Sequence, residues 1–145
     1  MTTCIIFGGA GFIGTHLARR LLATGRFDHV HLADLRPNPL PELPGISASI
    51  TDVRRPIPTD LTPEAPAWIF NLAAVHREPG HEAIEYFDTN LAGAREVIAY
   101  AEAVGCPNLY FTSSIAVYGP TDGPTDETAP SARCRPMAPP NTPPS

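Results

Sequence analysis

The residues best spaced for chemistry lie near the start of this 145-residue chain, where FGGAGFIG sets Gly8, Gly9, Gly11 and Gly14 within seven positions. Without a Cβ, backbone can approach a bulky anion closely, and a helix opening behind such a turn aims its first N–H groups at that anion. Two spacings overlap, GxGxxG through Gly9, Gly11 and Gly14 and GxxGxxG through Gly8, Gly11 and Gly14, and spacing alone does not choose between them. Asp34 follows Gly14 by 20 residues, where a carboxylate at the end of a second strand would accept hydrogen bonds from an adenosine ribose. The competing reading of the loop is a tight turn that packs a helix on a sheet and binds nothing.

Other reactive residues are weaker candidates. His76, Glu78, His81 and Glu82 cluster in HREPGHE and are competent metal ligands, but a solvated loop with Glu82 and Glu85 near a helix N-terminus accounts for them without a metal. His29 and His31 alternate on a strand and read as satisfied structural groups. Ser113 and Ser114 follow an apolar run, where a serine either orients a substrate hydroxyl or ends a strand with local backbone bonds. Cys4, Cys106 and Cys134 are odd in number and far apart, which suggests neither a disulfide framework nor a zinc site.

Composition narrows the partners. Ten basic against 15 acidic residues give a net charge of −5, so no basic stripe is available for a nucleic-acid backbone. No apolar stretch nears the ~18 residues of a membrane span. The expectation is a cytoplasmic protein binding neither nucleic acid nor membrane. Nothing in the sequence fixes an oligomeric state.

The elements that must position these residues alternate in type. Cys4 to Phe7 reads as a strand, and Phe12 to Ala23 as a helix, with Ile13, Leu17, Leu21 and Leu22 at helical spacing and Gly25 as its stop. Further strands are expected at His29 to Asp34, Ile46 to Ile50, Trp68 to Ala73 and Asn108 to Ser113, the fourth buried on both faces. A long helix from His81 to Val104 would place Ile84, Phe87, Leu91, Ala94, Ile98, Ala101 and Val104 on its apolar face and stop at Gly105. Proline clusters mark a loop at 37–44 and a loop or one helical turn at 51–67. The pattern predicts an α/β fold, a doubly wound parallel sheet of about five strands. Residues 1–119 would form that domain, and 120–145, with eight prolines and no apolar period, an irregular, protease-sensitive tail.

Taken together, FGGAGFIG, Asp34, the Asp52-Val53 pair, NLAA at Asn71 to Ala74, Asn90 and SSIAVYG at Ser113 to Gly119 resemble the extended short-chain dehydrogenase/reductases, nearest to the NAD-dependent nucleotide-sugar epimerases and dehydratases. The resemblance covers roughly residues 3–130 and implies a Rossmann fold. It also implies that Gly8, Gly11, Phe12, Ile13 and Gly14 line a pyrophosphate, that Asp34 holds the ribose and that Asp52 and Val53 meet the adenine. Leu72, Ala73 and Ala74 would run beneath the cofactor, with Asn90 supporting that strand end. A carboxylate at Asp34 implies NAD, since it repels a 2′-phosphate, while Arg36 leaves NADP open. Phe7 departs from the threonine usual in the family, as buried apolar bulk.

The family's chemistry uses a YxxxK pair and an orienting serine, which Ser114 matches. The tyrosines Tyr86, Tyr100, Tyr110 and Tyr118 are followed at the fourth position by Asn90, Val104, Ser114 and Asp122, and the chain contains no lysine at all. The resemblance holds through Asp126 to Pro130, and the ending beyond suggests a frameshift or premature stop that leaves the cofactor half of a longer protein. The expectation is the NAD-binding portion of a nucleotide-sugar epimerase or dehydratase, inactive alone. The alternatives are a non-catalytic NAD(P)-responsive binding module and a fragment of a carbonyl reductase of the same superfamily.

Overall fold

The computed structural model describes residues 2–76, 81–119 and 123–129. It divides into two compact units, Met1–Thr112 and Ser113–Ser145. In the first unit, β1 (Thr3–Phe7), α1 (Phe12–Ala23), β2 (His29–Asp34), β3 (Ile46–Ile50), β4 (Trp68–Asn71) and β5 (Leu109–Phe111) make a five-stranded sheet of order β3-β2-β1-β4-β5. Every pairing is parallel, with Ile5 opposite His31 on one side and Ile69 on the other. Parallel central strands are covered on both faces, which is why TCIIF is buried at all five positions.

One face of β1 and β2 presents Cys4, Ile6, Val30 and Leu32 to Ala18 and Leu21 of α1. The opposite face presents Ile5, Phe7, Ala33 and Ile69 to Val97, Tyr100 and Ala101 of the long helix. That helix runs as α2 (Ala83–Tyr86), a π-helical segment (Phe87–Ala92) and α3 (Gly93–Ala103). Both α1 and α3 end in the same way: the amide after the terminal glycine bonds back to Leu21 and Ala101 respectively, with Gly25 at φ +63° and Gly105 at φ +67°. Residues 51–67 form no helix, as their prolines predict.

Three expectations need correction. The long helix buries only the C-terminal part of the face that apolar spacing selects: Ala101 and Val104 pack on the core, but Ile84, Phe87, Leu91 and Ile98 are exposed, and Gly93, Val97 and Tyr100 pack inward instead. Gly93 explains the choice, because a Cβ there would stand 2.9 Å from Val53 Cγ2 and only glycine lets the helix sit that close. Ile13 is likewise 62% exposed, because α1 packs through Gly14, Ala18 and Leu21. Finally, β4 stops at Asn71 and is fully buried on one face only. Trp68 and Phe70 lie on the other face, where they stack at 6.0 Å, and the half-buried Phe70 meets both Tyr110 and the core beneath α1.

The second unit contains a 3-10 turn at Ile115–Tyr118, and an Asp126 carboxylate that accepts the Thr128 amide at 2.9 Å. Most of the proline-rich ending expected to be irregular, 120–122 and 130–145, lies outside the described residues, as do Glu78 and Cys134.

Candidate dinucleotide site

The sheet order reverses at β1, whose neighbours β2 and β4 run from opposite sides, and in open α/β sheets ligands sit outside the carboxyl ends of the strands at that switch. The glycine turn occupies this place. The Gly8 amide bonds the Ala33 carbonyl at 2.8 Å, and a Cβ on Gly8 would lie 2.8 Å from Ala73 N and from the Leu72 carbonyl. Leu72, bonded through its amide to Phe7 O at 2.9 Å, and Ala73 therefore run along the turn itself. At Gly14 a Cβ would come within 2.7 Å of Gly9, so this glycine closes the helix onto the turn.

Gly11 differs from its neighbours. It caps α1 from an extended conformation, and a Cβ there would meet only Gly8 O at 3.1 Å and Arg36 Nη2 at 3.6 Å. The first intrahelical bond runs from Thr15 N to Gly11 O, so Phe12, Ile13 and Gly14 precede it and have no intrahelical acceptor for their amides. No acidic residue stands in the first turn. The result is an open backbone cradle with the positive end of a 12-residue helix behind it, which fits a pyrophosphate.

Asp34 ends β2 beside this cradle. Its Oδ2 accepts the Ala10 amide at 2.9 Å and its Oδ1 the Arg36 amide at 3.0 Å, leaving further acceptor capacity on both oxygens. Arg36 Nε stands 3.5 Å from Oδ1, with the guanidinium mostly exposed.

Next along the strand ends, a cavity of about 330 Å³ is lined by Leu35, Ile50, Thr51, Asp52, Arg55 and Pro58, among others. Asp52 is gripped by Arg54, whose backbone N and Nε reach Oδ1 at 3.0 and 2.9 Å and whose Nη2 reaches Oδ2 at 2.8 Å. The Arg54 hydrogen bonds hold the Asp52 carboxyl below the usual carboxylate range. Val53 is buried against Gly93 and does not line the cavity.

On the other side of the switch, Ala73 N bonds Asn71 Oδ1 at 3.2 Å. Asn90, in the π-helical segment, takes both backbone groups of Val75, accepting its amide at 2.8 Å and donating to its carbonyl at 2.9 Å. Ala74 lies exposed between these two anchors. Ser114 belongs to the second unit, where its carbonyl accepts the Val117 amide at 3.3 Å.

Of the remaining candidates, His29, His31, His81 and Glu82 have partners. His29 Nε2 and His31 Nδ1 both stand 2.7 Å from Ser47 Oγ, and His31 Nε2 stands 2.8 Å from Ser49 Oγ. His81 pairs with Glu85 at 2.9 Å, and Glu82 and Glu85 form a capping box. Among the described residues no three His, Cys, Asp or Glu side chains converge as a metal site, and no helix is long and apolar enough to cross a membrane.

The sequence profile described as the NAD dependent epimerase/dehydratase family matches residues 4–142. The chain belongs to that family. It is 33% identical, over 87% of its length and 36% of the relative's, to N-acetyl-alpha-D-glucosaminyl-diphospho-ditrans,octacis-undecaprenol 4-epimerase of Escherichia coli O157:H7. It is 32% identical, over 90% of its length and 41% of the relative's, to UDP-glucose 4-epimerase 1 of Oryza sativa subsp. japonica.

Among solved structures, UDP-galactose 4-epimerase superposes with a TM-score of 0.76 at 26% identity, over 90% of this chain and 45% of that one. The NAD dependent NDP-hexosamine 5,6-dehydratase TunA superposes with a TM-score of 0.73 at 32% identity, over 90% and 43%. Thus the chain spans about two fifths of the length of these family members. The Rossmann fold and the family named from the sequence motifs both stand.

The residues that sequence reasoning missed are Arg54, Arg55, Thr51 and the apolar walls of the cavity. The signal was present in the run TDVRR, where two arginines follow Asp52 directly, but which of them would grip the carboxylate was not legible.

Proposed function

We propose that this chain is the NAD-binding portion of a nucleotide-sugar epimerase or dehydratase, and that by itself it binds the cofactor without turning over a sugar. The observation that carries the reading is the cradle at Gly11, open where Gly8 and Gly14 are closed, with Asp34 bonded to the same turn through Ala10. In this reading the amides of Phe12, Ile13 and Gly14 bind the pyrophosphate, Asp34 accepts the ribose hydroxyls, and Asp52 meets the adenine. Leu72, Ala73 and Ala74 form the floor toward the nicotinamide, held in place by the Asn90 bonds to Val75. When bound in a complete family member, NAD would supply a hydride acceptor for the sugar.

The preference for NAD follows from Asp34, whose carboxylate opposes a 2′-phosphate; Arg36 beside it softens that opposition. Related structures support the assignment, since MoeE5 is described in complex with UDP-glucose and NAD, at 27% identity and a TM-score of 0.75. The proton-transfer step needs a base within reach of the sugar hydroxyl. No tyrosine here has a lysine four residues on, and arginine does not replace lysine in lowering a tyrosine pKa.

The test incubates the NAD-saturated chain with UDP-glucose, UDP-galactose and UDP-glucuronic acid and follows epimer ratio, water loss and NADH absorbance. Binding of NAD without turnover is the expected result. Turnover near ~1 s⁻¹, the low end of ordinary enzymes, would overturn the inactive assignment.

A further inference from the structure

His29 and His31 are two residues apart on β2, so their side chains stand on one face of the sheet, and the register sets His31 opposite Ser47 and Ala33 opposite Ser49 on the edge strand β3. His29 Nε2 and His31 Nδ1 both stand 2.7 Å from Ser47 Oγ, so two ring nitrogens and a hydroxyl oxygen converge on one point. A hydroxyl carries a single hydrogen. It satisfies one ring lone pair, and the second contact needs its hydrogen from the other ring. The far nitrogen of His31, Nε2, stands 2.8 Å from Ser49 Oγ, which meets Thr51 Oγ1 at 2.7 Å. With the His31 Nε2–H donating to Ser49, the Nδ1 lone pair is aimed at Ser47 and His29.

We propose that His29, His31 and Ser47 form a binding site for a zinc-type divalent ion, with His29 Nε2 and His31 Nδ1 as ligands, the Ser47 hydroxyl as an oxygen donor and water completing the shell. The site stands apart from the cofactor reading, which uses the carboxyl ends of the strands, whereas His29 opens β2 at its amino end. Imidazole nitrogen suits zinc, copper and nickel, while magnesium and calcium favour sets of oxygens. An ion takes lone pairs from both rings and the hydroxyl at once, which one hydroxyl hydrogen cannot do. Ligating histidines donate their other ring N–H to a nearby acceptor, which fixes tautomer and orientation. Ser49 is placed to accept that hydrogen from His31, and Thr51 in turn holds Ser49. Access is short, since β3 is the sheet edge and His29 and Ser47 are half-buried, while His31 at 4% exposure supplies the rigid side of the site.

The test titrates zinc chloride into the metal-free purified chain by calorimetry and repeats the titration with His29→Gln and Ser49→Ala, circular dichroism confirming that each variant is folded. One-to-one zinc binding is expected in the wild type, with no binding of magnesium chloride. Ser49→Ala, which removes only the outer partner of His31, should weaken zinc by about tenfold, and His29→Gln, which removes a ligand, by more than that. A trace of copper(II) chloride locates the site without any variant, because its unpaired electron broadens the amide signals closest to it. Those of residues 29–31 and Ser47 should fade first. Absence of zinc binding at millimolar concentration, zinc affinity unchanged in either folded variant, or first broadening around His16, His81 or Cys106 would each overturn the proposal.

Discussion

The Asp34 carboxylate accepts the Ala10 amide hydrogen at 2.9 Å, so the acidic residue at the end of β2 and the glycine turn after β1 are one unit rather than two neighbouring motifs. The bond gives Asp34 two tasks, bracing the turn and offering its remaining lone pairs outward. Asp34→Ala should therefore weaken NAD binding by about 1–3 kcal/mol, more than loss of a single neutral hydrogen bond. Calorimetry with the variant decides it, and an affinity unchanged within twofold would remove Asp34 from the site.

The glycines of the turn should separate into two classes on substitution. Gly14→Ala forces a Cβ to 2.7 Å from Gly9 backbone, and Gly8→Ala sets one at 2.8 Å from Leu72 and Ala73 at a positive φ, so both should lower the melting temperature markedly. Gly11→Ala brings a Cβ to 3.1 Å from the Gly8 carbonyl, a tight contact that a small backbone shift relieves, so it should lower the melting temperature less than the other two while cutting NAD affinity tenfold or more, as its methyl enters the anion cradle. Thermal melts and titrations of the three variants distinguish the classes; a Gly11→Ala chain destabilised as much as the other two would make that glycine structural.

Asn90 closes two bonds on Val75 from the π-helical segment, whose wider turn accompanies this reach. Asn90→Ala should destabilise the chain by about 1–2 kcal/mol and speed exchange of the Val75 amide ahead of the β1 amides. Hydrogen exchange followed by NMR measures this directly. Uniform acceleration across the sheet would assign Asn90 to global stability instead.

How far the site could be read from sequence depends on what each residue contributes. The turn and α1 were legible because glycine spacing and helical period are local properties, and Asp34 because its distance from the turn is set by one strand and one helix. The buried side of the long helix was legible only at Ala101 and Val104, since apolar period also selects Ile84, Phe87, Leu91 and Ile98, whereas packing selects closeness, which Gly93 and Val97 supply. The cavity beside Asp52 escaped for a related reason: it is assembled from the ends of β2 and β3 and a proline-interrupted loop, three stretches that only the sheet order brings together.

Stability should depend on pH through His31. Burial, with the neighbouring His29 adding to it, lowers its pKa from 6.5 to about 4, so the folded state holds the neutral imidazole. The unfolded chain binds the extra proton between these values. Stability from this residue is therefore present above about pH 6.5 and is lost as pH falls toward 4, by on the order of 3 kcal/mol at most. Urea melts at pH 7.5, 6, 5 and 4 trace the loss, and His31→Gln should flatten the curve over that interval. An equally steep curve in the variant would move the origin away from His31 to another group.

The central claim is that these 145 residues hold a dinucleotide at the Gly11 cradle with Asp34 choosing its form. Calorimetric titration of the purified chain with NAD and, separately, with NADP tests it most directly. Saturable one-to-one binding of NAD, with NADP weaker by about tenfold, is the predicted result. No heat of binding with either dinucleotide at millimolar concentration, or tighter binding of NADP, would contradict it.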